Sequence, residues 1–316
     1  MKYIQRSCCQ ALVVRDIGMD RVGAVGRVGY KERVGFTDES TSSGWRRVAL
    51  REHVVLMLTP THLKSAPAVG SPARVLVSLA TYNEAGNLRD LVLTIRQFAP
   101  QATILIIDDN SPDGTGDLAD DLRAELEGIE VIHRTAKLGL GTAILAGMRF
   151  AIEHGFDYFL NLDADFSHPP RFIPALLAGM DRNDVMIGSR YVAGGGVEGE
   201  FNFRRKCMST GINLYARLLL GLKTKDNSGS FRCYRVAKLA QMDFDRVRSR
   251  GYSFMEEILY WCRGVNCRMS ETPILFENRR AGISKINKRE ALKAVQIIFE
   301  LGVDRIFGRG QARPFA

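Results

Sequence analysis

Short apolar runs alternate with amphipathic segments through the middle of the chain. Residues 75–80, 103–107, 158–162 and 185–188 are runs of the kind that form buried strands. The segments between them have apolar side chains at helical spacing, so they are predicted to be helices. This alternation, with short connections, predicts an α/β fold: a mostly parallel sheet with helices on both faces.

Acidic side chains follow three of the predicted strands. Glu84 follows the first, Asp108 and Asp109 the second, and Asp163 and Asp165 the strand at 158–162. Because parallel strands bind ligands at their carboxyl ends, we expect these acids to converge at one edge of the sheet. Mg²⁺ and Mn²⁺ prefer carboxylate and phosphate oxygens, so a metal with a phosphorylated or polyhydroxylated ligand is predicted there.

Taken alone, the Asp163-Ala164-Asp165 segment could equally be a solvated turn, because Asp is favoured in turns. The nearby Gly139-Leu140-Gly141 segment matches neither the P-loop pattern nor, by its position, a dinucleotide fingerprint. We interpret it as a close turn near the ligand.

Positive charge is concentrated at the two ends of this chain of 316 residues, whose formal net charge is +9. Residues 1–72 have 11 basic and 6 acidic side chains, and residues 268–316 have 10 and 5. Basic ends of this kind suit an anionic membrane surface, nucleic acid or simply a solvated face. The helix predicted at 288–307 is amphipathic, which fits either a docking helix or a membrane-surface helix.

The remaining composition sets the expected domain bounds and compartment. Residues 1–72 lack a clear period, so we expect a poorly ordered extension, an ordered domain at 73–308 and a disordered tail at 309–316. The six cysteines form no C-x-x-C pair, which is typical of reduced cytosolic thiols and argues against a zinc or redox motif. The sequence predicts neither a transmembrane helix nor a secretory signal peptide.

Six motifs occur in an order that resembles the polyprenol-phosphate mannosyltransferases, or dolichol-phosphate mannose synthases. These are family 2 inverting glycosyltransferases with the GT-A (nucleotide-diphospho-sugar transferase) fold. The resemblance covers about residues 74–308, so it implies a GT-A catalytic domain at 73–308 and leaves residues 1–72 outside it. The motifs are Thr81-Tyr82-Asn83-Glu84, the acidic segment 108–115, the glycine segment 137–142, the Asp-x-Asp segment 163–170, Gly188-Ser189-Arg190-Tyr191, and Arg279 with Lys285.

The resemblance implies transfer of mannose from GDP-mannose to a polyprenyl (dolichyl-type) phosphate, with inversion. Two alternatives stay open: a sibling transferase that uses UDP-glucose or another nucleotide sugar, and a non-catalytic subunit that binds sugar nucleotides or lipids. The expected partners are the donor, the acceptor and a membrane surface or membrane subunit, without nucleic acid. No transmembrane pair follows Phe307, so we expect a catalytic-domain-only form that is peripheral on the cytoplasmic face of a membrane.

The resemblance also implies roles for individual residues. Residues implied to bind the nucleotide sugar are Tyr82, Glu84, Ile107, Asp109, Asp163, Ala164 and Arg204. Residues implied to bind Mg²⁺ or Mn²⁺ are Asp163, Asp165 and Ser167. Residues implied in catalysis are Asp165, Arg190, and Arg279 and Lys285 of a basic loop that meets the lipid phosphate.

Three further residues have weaker assignments. Arg232 ends a segment that departs from the usual order of residues in the family, so its role carries over less directly. His168 is expected to shape the turn rather than act as a base, because a phosphate monoester acceptor is already anionic at neutral pH. Glu256 is a weaker candidate for an acid–base or sugar-hydroxyl role, with helix N-terminal charge complementarity as the alternative.

Overall fold

The computed structural model describes residues 12–16, 31–35, 72–198, 203–277 and 288–307. The chain divides into two units, Met1–Leu63 and Lys64–Ala316. In the first unit, strand β1 (Leu12–Asp16) pairs antiparallel with β2 (Lys31–Gly35). The rest of the predicted extension and the tail at 309–316 lie outside the described residues, except for residue 72, so the bounds given for these segments stay predictions.

The second unit alternates strands and helices. In chain order they are β3 (Val75–Thr81), α1 (Ala85–Phe98), β4 (Thr103–Asp108), α2 (Thr115–Glu125), β5 (Ile129–His133), α3 (Leu140–Glu153), β6 (Tyr158–Asp163), α4 (Ile173–Gly179), β7 (Val185–Ser189), β8 (Gly196–Val197), α5 (Phe203–Leu220), β9 (Arg232–Arg235), α6 (Val236–Leu239), α7 (Phe254–Gly264), β10 (Met269–Pro273), β11 (Leu275–Phe276) and α8 (Lys288–Ile306).

Seven strands form one sheet in the order β10-β7-β9-β6-β3-β4-β5. Neighbouring strands are parallel except β9, which is antiparallel to both β6 and β7. The predicted mostly parallel sheet is therefore confirmed. No strand was predicted at the position of β9, because the charged residue at its start does not resemble a buried strand.

Two apolar layers cover the two faces of this sheet, because successive side chains of a strand point to opposite faces. On β6, Phe159 lies in the first layer, while Leu160 and Leu162 lie in the second. The first layer packs under helices that include α3 and α7, and the second under α1, α2 and α4. Helices on both faces are thus confirmed. Among the described helices, none combines the length and apolar character needed to cross a bilayer.

Helix α1 begins directly after Glu84. Its cap is Glu84, whose carbonyl oxygen accepts hydrogen bonds from the amides of Asn87 and Leu88 at 2.9 and 3.0 Å. Asn87 lies inside the helix and donates from Nδ2 to Glu84 Oε2 at 2.9 Å. Glu84 also donates its own amide to Thr115 Oγ1 at 2.9 Å, which ties the start of α1 to the start of α2.

Candidate active site

The carboxyl ends of β3, β4 and β6 lie side by side at one edge of the sheet. Thr81 at the end of β3 pairs with Asp108, and Ala80 pairs with Asp163 at the end of β6. The structure therefore brings together the acids that follow these strands, as the alternation of strands and helices predicted. Loops at such an edge are where α/β proteins bind ligands.

Asp108 braces the first two of these loops. Its Oδ1 accepts hydrogen bonds from Thr81 Oγ1 at 3.1 Å and from Ser111 Oγ at 2.5 Å. The amide of Asn83 donates to the same Ser111 hydroxyl at 3.0 Å. Asn83 has a left-handed backbone with φ of 59°, a conformation that asparagine tolerates better than most residues. Asp108 is thus committed to holding the two loops in register.

Asp109 is buried and fastens the glycine segment that precedes α3. Its Oδ2 accepts hydrogen bonds from the amides of Leu138 and Gly139 at 3.2 and 3.4 Å. Its Oδ1 lies 3.0 Å from Arg134 Nη1 in an ion pair between buried side chains. Burial raises the pKa of the Asp109 carboxyl, and Arg134 acts in the opposite direction. Sequence reasoning placed Asp109 in the site but did not find Arg134.

The other residues predicted to bind the nucleotide differ in exposure. Tyr82 is half-buried, and the Lys137 ammonium lies 3.9 Å from the centre of its ring. Ile107 is instead completely buried in the first apolar layer, because its position on β4 faces α3, so it does not line an open pocket. The Ala164 side chain is likewise buried, in the second layer.

Asp163 and Asp165 stand at the start of a tight turn after β6. The Asp163 side chain is 28% exposed, and its Oδ1 accepts a hydrogen bond from Ser230 Oγ at 2.5 Å. Asp165 is more buried, and its Oδ1 accepts from the amide and hydroxyl of Ser167 at 3.0 and 2.5 Å. Phe166, which lies between Asp165 and Ser167, has a left-handed backbone with φ of 64°. The turn therefore holds two carboxylates next to the ends of β3 and β4.

This pair of acids fits a hard cation that is shared with a ligand. In the described part of the chain, no group of three or more His, Cys, Asp or Glu side chains is arranged to hold a metal. Mg²⁺ typically takes one or two protein carboxylates and completes its octahedron with phosphate oxygens and water, which the Asp163–Asp165 pair allows. The Ser167 hydroxyl, predicted as a third ligand, is fully buried and is used to orient Asp165.

His168 is enclosed by aromatic rings and supports the turn. Its ring lies 5.4 Å from that of Phe231 and 5.1 Å from that of Phe276, centre to centre. Nδ1 accepts a long hydrogen bond, 3.4 Å, from the backbone amide of Asp163. Burial lowers the pKa of His168, although Asp163 acts in the opposite direction. A neutral imidazole in this position agrees with the predicted role in the turn.

Arg190 is bound in a bidentate manner by Asp226, a residue that sequence reasoning missed. Nε lies 2.8 Å from Asp226 Oδ2 and Nη2 lies 2.7 Å from Oδ1, while Nη2 also donates to Ser228 Oγ at 3.1 Å. Burial opposes both charges, yet the contacts between them prevail. The pKa of Arg190 is therefore raised and that of Asp226 lowered. Arg190 is thus a fixed cation at the site.

The segment that carries Asp226, residues 226–230, connects both halves of the site, and we refer to it as the bridging loop. At one end Asp226 holds Arg190, and at the other end Ser230 donates to Asp163. Asn213 of α5 anchors its middle, because Oδ1 accepts from the amide of Asn227 at 2.7 Å. A shift of this loop would displace the fixed cation and the first acid of the turn together.

Three predicted site residues are not assigned by this geometry. Arg204 lies in the first turn of α5, but its side chain is outside the described part of the structure. Arg279 and Lys285 lie outside the described residues. Their assignments stay predictions.

Replacing Gly139 by alanine is expected to destabilise the protein by about 1–3 kcal/mol, because two penalties coincide. Gly139 has φ of 105°, and a Cβ there would clash with the carbonyl oxygen of Arg250. Thermal unfolding would measure the loss. The control is Gly86→Ala, since Gly86 lies in α1 with open space around it and should tolerate alanine. Equal melting temperatures for the two variants would contradict the expectation.

The sequence of this chain matches a protein-family model and is similar to two named bacterial proteins. The model of glycosyl transferase family 2 matches residues 77–242. The chain is 40% identical over 214 residues to the undecaprenyl-phosphate mannosyltransferase of Micrococcus luteus, covering 68% of this chain and 88% of the relative. It is also 40% identical over 242 residues to the polyprenol monophosphomannose synthase of Mycolicibacterium smegmatis, covering 75% and 90%.

Among solved structures, the chain is similar to glucosyl-3-phosphoglycerate synthase from Mycobacterium tuberculosis in complex with Mn²⁺, UDP-glucose and phosphoglyceric acid. The TM-score is 0.50 at 16% identity, covering 74% of this chain and 79% of that chain. At this identity the likeness concerns the fold alone. The fold expected from the six motifs is confirmed.

Proposed function

Because this chain belongs to glycosyl transferase family 2, we propose that it transfers mannose from GDP-mannose to a polyprenyl phosphate with inversion at the anomeric carbon. The relatives named as polyprenyl-phosphate mannosyltransferases support the acceptor and the sugar, since the identity of 40% extends over 68% and 75% of the chain. The observation that carries the proposal is the placement of Asp163 and Asp165 beside a fixed arginine, Arg190, with the bridging loop between them.

Asp163 and Asp165 would hold Mg²⁺ or Mn²⁺, which when bound would stabilise negative charge on the departing nucleotide diphosphate. Ser167 would keep Asp165 oriented through its two hydrogen bonds. Ser230 would do the same for Asp163. The donor's base and ribose would lie toward Tyr82, Glu84 and Asp109, as the resemblance implies.

The acceptor phosphate needs positioning more than activation. A phosphate monoester has a second pKa of about 6, so it is already a nucleophilic anion at neutral pH. Arg190 is suited to orient phosphate oxygens because its guanidinium is held in one geometry by Asp226. We propose that Arg204, Arg279 and Lys285 add further positive charge. A neutral His168 is consistent with a reaction that needs no histidine base.

A donor panel tests this function. The protein would be incubated with polyprenyl phosphate, Mg²⁺ and radiolabelled GDP-mannose, UDP-glucose or UDP-N-acetylglucosamine, and the label that enters the lipid phase would be measured. We expect transfer from GDP-mannose alone. Faster transfer from a UDP-sugar would replace the donor assignment. Binding of a nucleotide sugar without transfer from any donor would favour the non-catalytic alternative.

We further propose that the protein works peripherally at the cytoplasmic face of a membrane, through α5 and α8. The two helices pack together: Tyr215 of α5 donates to the carbonyl of Val295 at 3.3 Å, and Arg305 of α8 donates to the carbonyl of Leu219 at 2.7 Å. Both leave large apolar side chains in contact with solvent, which is a feature of surfaces that meet membranes or proteins. These exposed side chains are Leu214, Leu218, Leu292, Val295, Phe299 and Ile306, and Phe307 directly after α8 is exposed as well.

Replacing Leu218 and Phe299 together by glutamate is expected to reduce sedimentation with anionic vesicles, because it removes two apolar contacts and adds repelling charge. Sedimentation of the wild-type protein is expected to weaken at high salt. Leu93→Glu is the matched control: Leu93 is 44% exposed, but it lies on α1. Unchanged sedimentation of the double variant would remove these two helices from the proposal. Failure of the wild-type protein to bind any vesicle would favour attachment through a membrane subunit.

A further inference from the structure

A row of polar side chains crosses three strands of the sheet on the face of the first apolar layer. Ser78 of β3 lies opposite Asn161 of β6, and Asn161 lies opposite Arg232 of β9. All three residues are buried, and each has a polar atom without a hydrogen-bond partner: Ser78 Oγ, Asn161 Oδ1 and Arg232 Nε. Asn161 is two residues before Asp163, so the row lies directly behind the candidate metal site.

Arg232 is completely buried and joins two parts of the structure. Nη1 donates to the carbonyl of Met255 in the first turn of α7 at 2.6 Å, and Nη2 donates to the carbonyl of Asn227 in the bridging loop at 2.6 Å. A guanidinium keeps its charge in proteins, and an uncompensated buried charge is costly. The two carbonyl groups accept from Nη1 and Nη2 without neutralising the charge, so Arg232 requires a carboxylate nearby.

Glu256 and Asp226 are carboxylates that interact electrostatically with Arg232. Asp226 is already bound by Arg190 through two hydrogen bonds. Glu256 follows Met255, is only 3% exposed, and its Oε2 has no hydrogen-bond partner. Two guanidiniums therefore share a buried region with two carboxylates, and Glu256 is the carboxylate left to compensate Arg232.

An internal water would complete this arrangement. Buried waters typically make about three hydrogen bonds to polar groups that are otherwise unsatisfied. Arg232 Nε offers an unused donor, and Glu256 Oε2 and Asn161 Oδ1 offer unused acceptors. Burial raises the pKa of Glu256 to about 7, while Arg232 acts in the opposite direction.

We propose that Glu256 is a positioning residue for the transfer reaction: through an internal water it supplies the counter-charge of Arg232, which leaves Asp226 to hold Arg190. Without this charge, both guanidiniums would compete for Asp226. The bridging loop would then shift, and Arg190 and Asp163 with it. The inference rests on the proposed function only in giving Arg190 and Asp163 a part in transfer.

Glu256→Gln is the test variant, and Glu257→Gln is the matched control. Glu257 is also completely buried, but its carboxylate accepts from the amides of Arg248 and Ser249 at 3.0 and 2.7 Å and from Trp261 Nε1 at 3.2 Å. Replacing Glu257 should therefore lower the melting temperature, with a smaller effect on the kcat of the folded protein. Replacing Glu256 should also lower the melting temperature, because it leaves the buried Arg232 without its counter-charge. Unlike the control, it should in addition lower the kcat of the folded protein by about ten- to hundredfold, as for a misplaced catalytic group.

Glu256→Asp keeps the charge and should recover part of the lost kcat, which a purely structural role would not require. A high-resolution crystal structure of the wild-type protein should show a water between Arg232 Nε and Glu256 Oε2. Wild-type kcat in Glu256→Gln, or a crystal structure without that water, would overturn the proposal. If the wild-type protein transfers no sugar, the proposed function fails, while the crystal structure still tests the water and the counter-charge.

Discussion

Replacing Asp163 by asparagine is expected to lower the rate of transfer by roughly 10³-fold, because metal charge stabilisation is worth several kcal/mol. The fold should survive, since this side chain is part-exposed at the end of β6. Asparagine keeps the shape and can still accept the hydrogen bond from Ser230. Asp165 is less suitable for this test, because it is buried and organises the turn through Ser167.

Initial rates would be measured for the Asp163→Asn variant over a range of Mg²⁺ and Mn²⁺ concentrations, and thermal unfolding would verify the fold. Asp117→Asn serves as the control, because Asp117 is an exposed acid in α2. That control should retain the wild-type rate. Full activity in the Asp163 variant, or wild-type activity that persists in excess chelator, would contradict the assignment of a metal to this pair.

Replacing Asp226 by leucine is expected to abolish transfer and to lower the free energy of unfolding by about 3–5 kcal/mol, since it leaves a buried guanidinium without its partner. Arg190 would lose both side-chain hydrogen bonds to Asp226 and, with them, its fixed orientation. The bridging loop would also lose the hydrogen bond from the amide of Gly229 to Asp226 Oδ1, which measures 3.0 Å. Urea unfolding and initial-rate kinetics would measure the two effects.

A second substitution separates stability from activity at this ion pair. Combining Asp226→Leu with Arg190→Met replaces both charges by apolar groups, so the double variant should recover much of the lost stability. It should remain inactive, because the fixed cation is gone. Recovery of transfer in the double variant would show that Arg190 has no direct part in the reaction.

The sequence predicted the strands and the acids that follow them because both signals are local. The apolar run that ends at Asp163 can be recognised as a strand from adjacent residues alone. The parallel sheet then places the ends of such strands together. The side chains of a strand that become part of the core depend on the helices that pack against the sheet, and adjacent residues do not identify these helices. The resemblance implied that Ile107 binds the nucleotide sugar, whereas in the structure it is completely buried in the first apolar layer.

The contacts that fix the charges join residues far apart in the chain, and no spacing rule identifies them. Asp226 is 36 residues from Arg190, and in the sequence it is one acid in a polar segment. In the sequence, Arg232 resembles a loop residue. In the structure it is completely buried in β9, because carbonyl groups of the bridging loop and α7 accept hydrogen bonds from its guanidinium. Such pairings depend on the assembled tertiary structure, where burial makes each lone charge costly.

The reversed direction of β9 has a consequence for how this site can vary. Since β9 runs against β6 and β7, its amino end lies at the edge where the parallel strands have their carboxyl ends. The residues that enter β9 therefore belong to the site, whereas the residues that leave it, toward α6, lie at the opposite edge. An insertion between Leu222 and Phe231 would alter the distance between Arg190 and Asp163, whereas one after Arg235 would leave that distance unchanged.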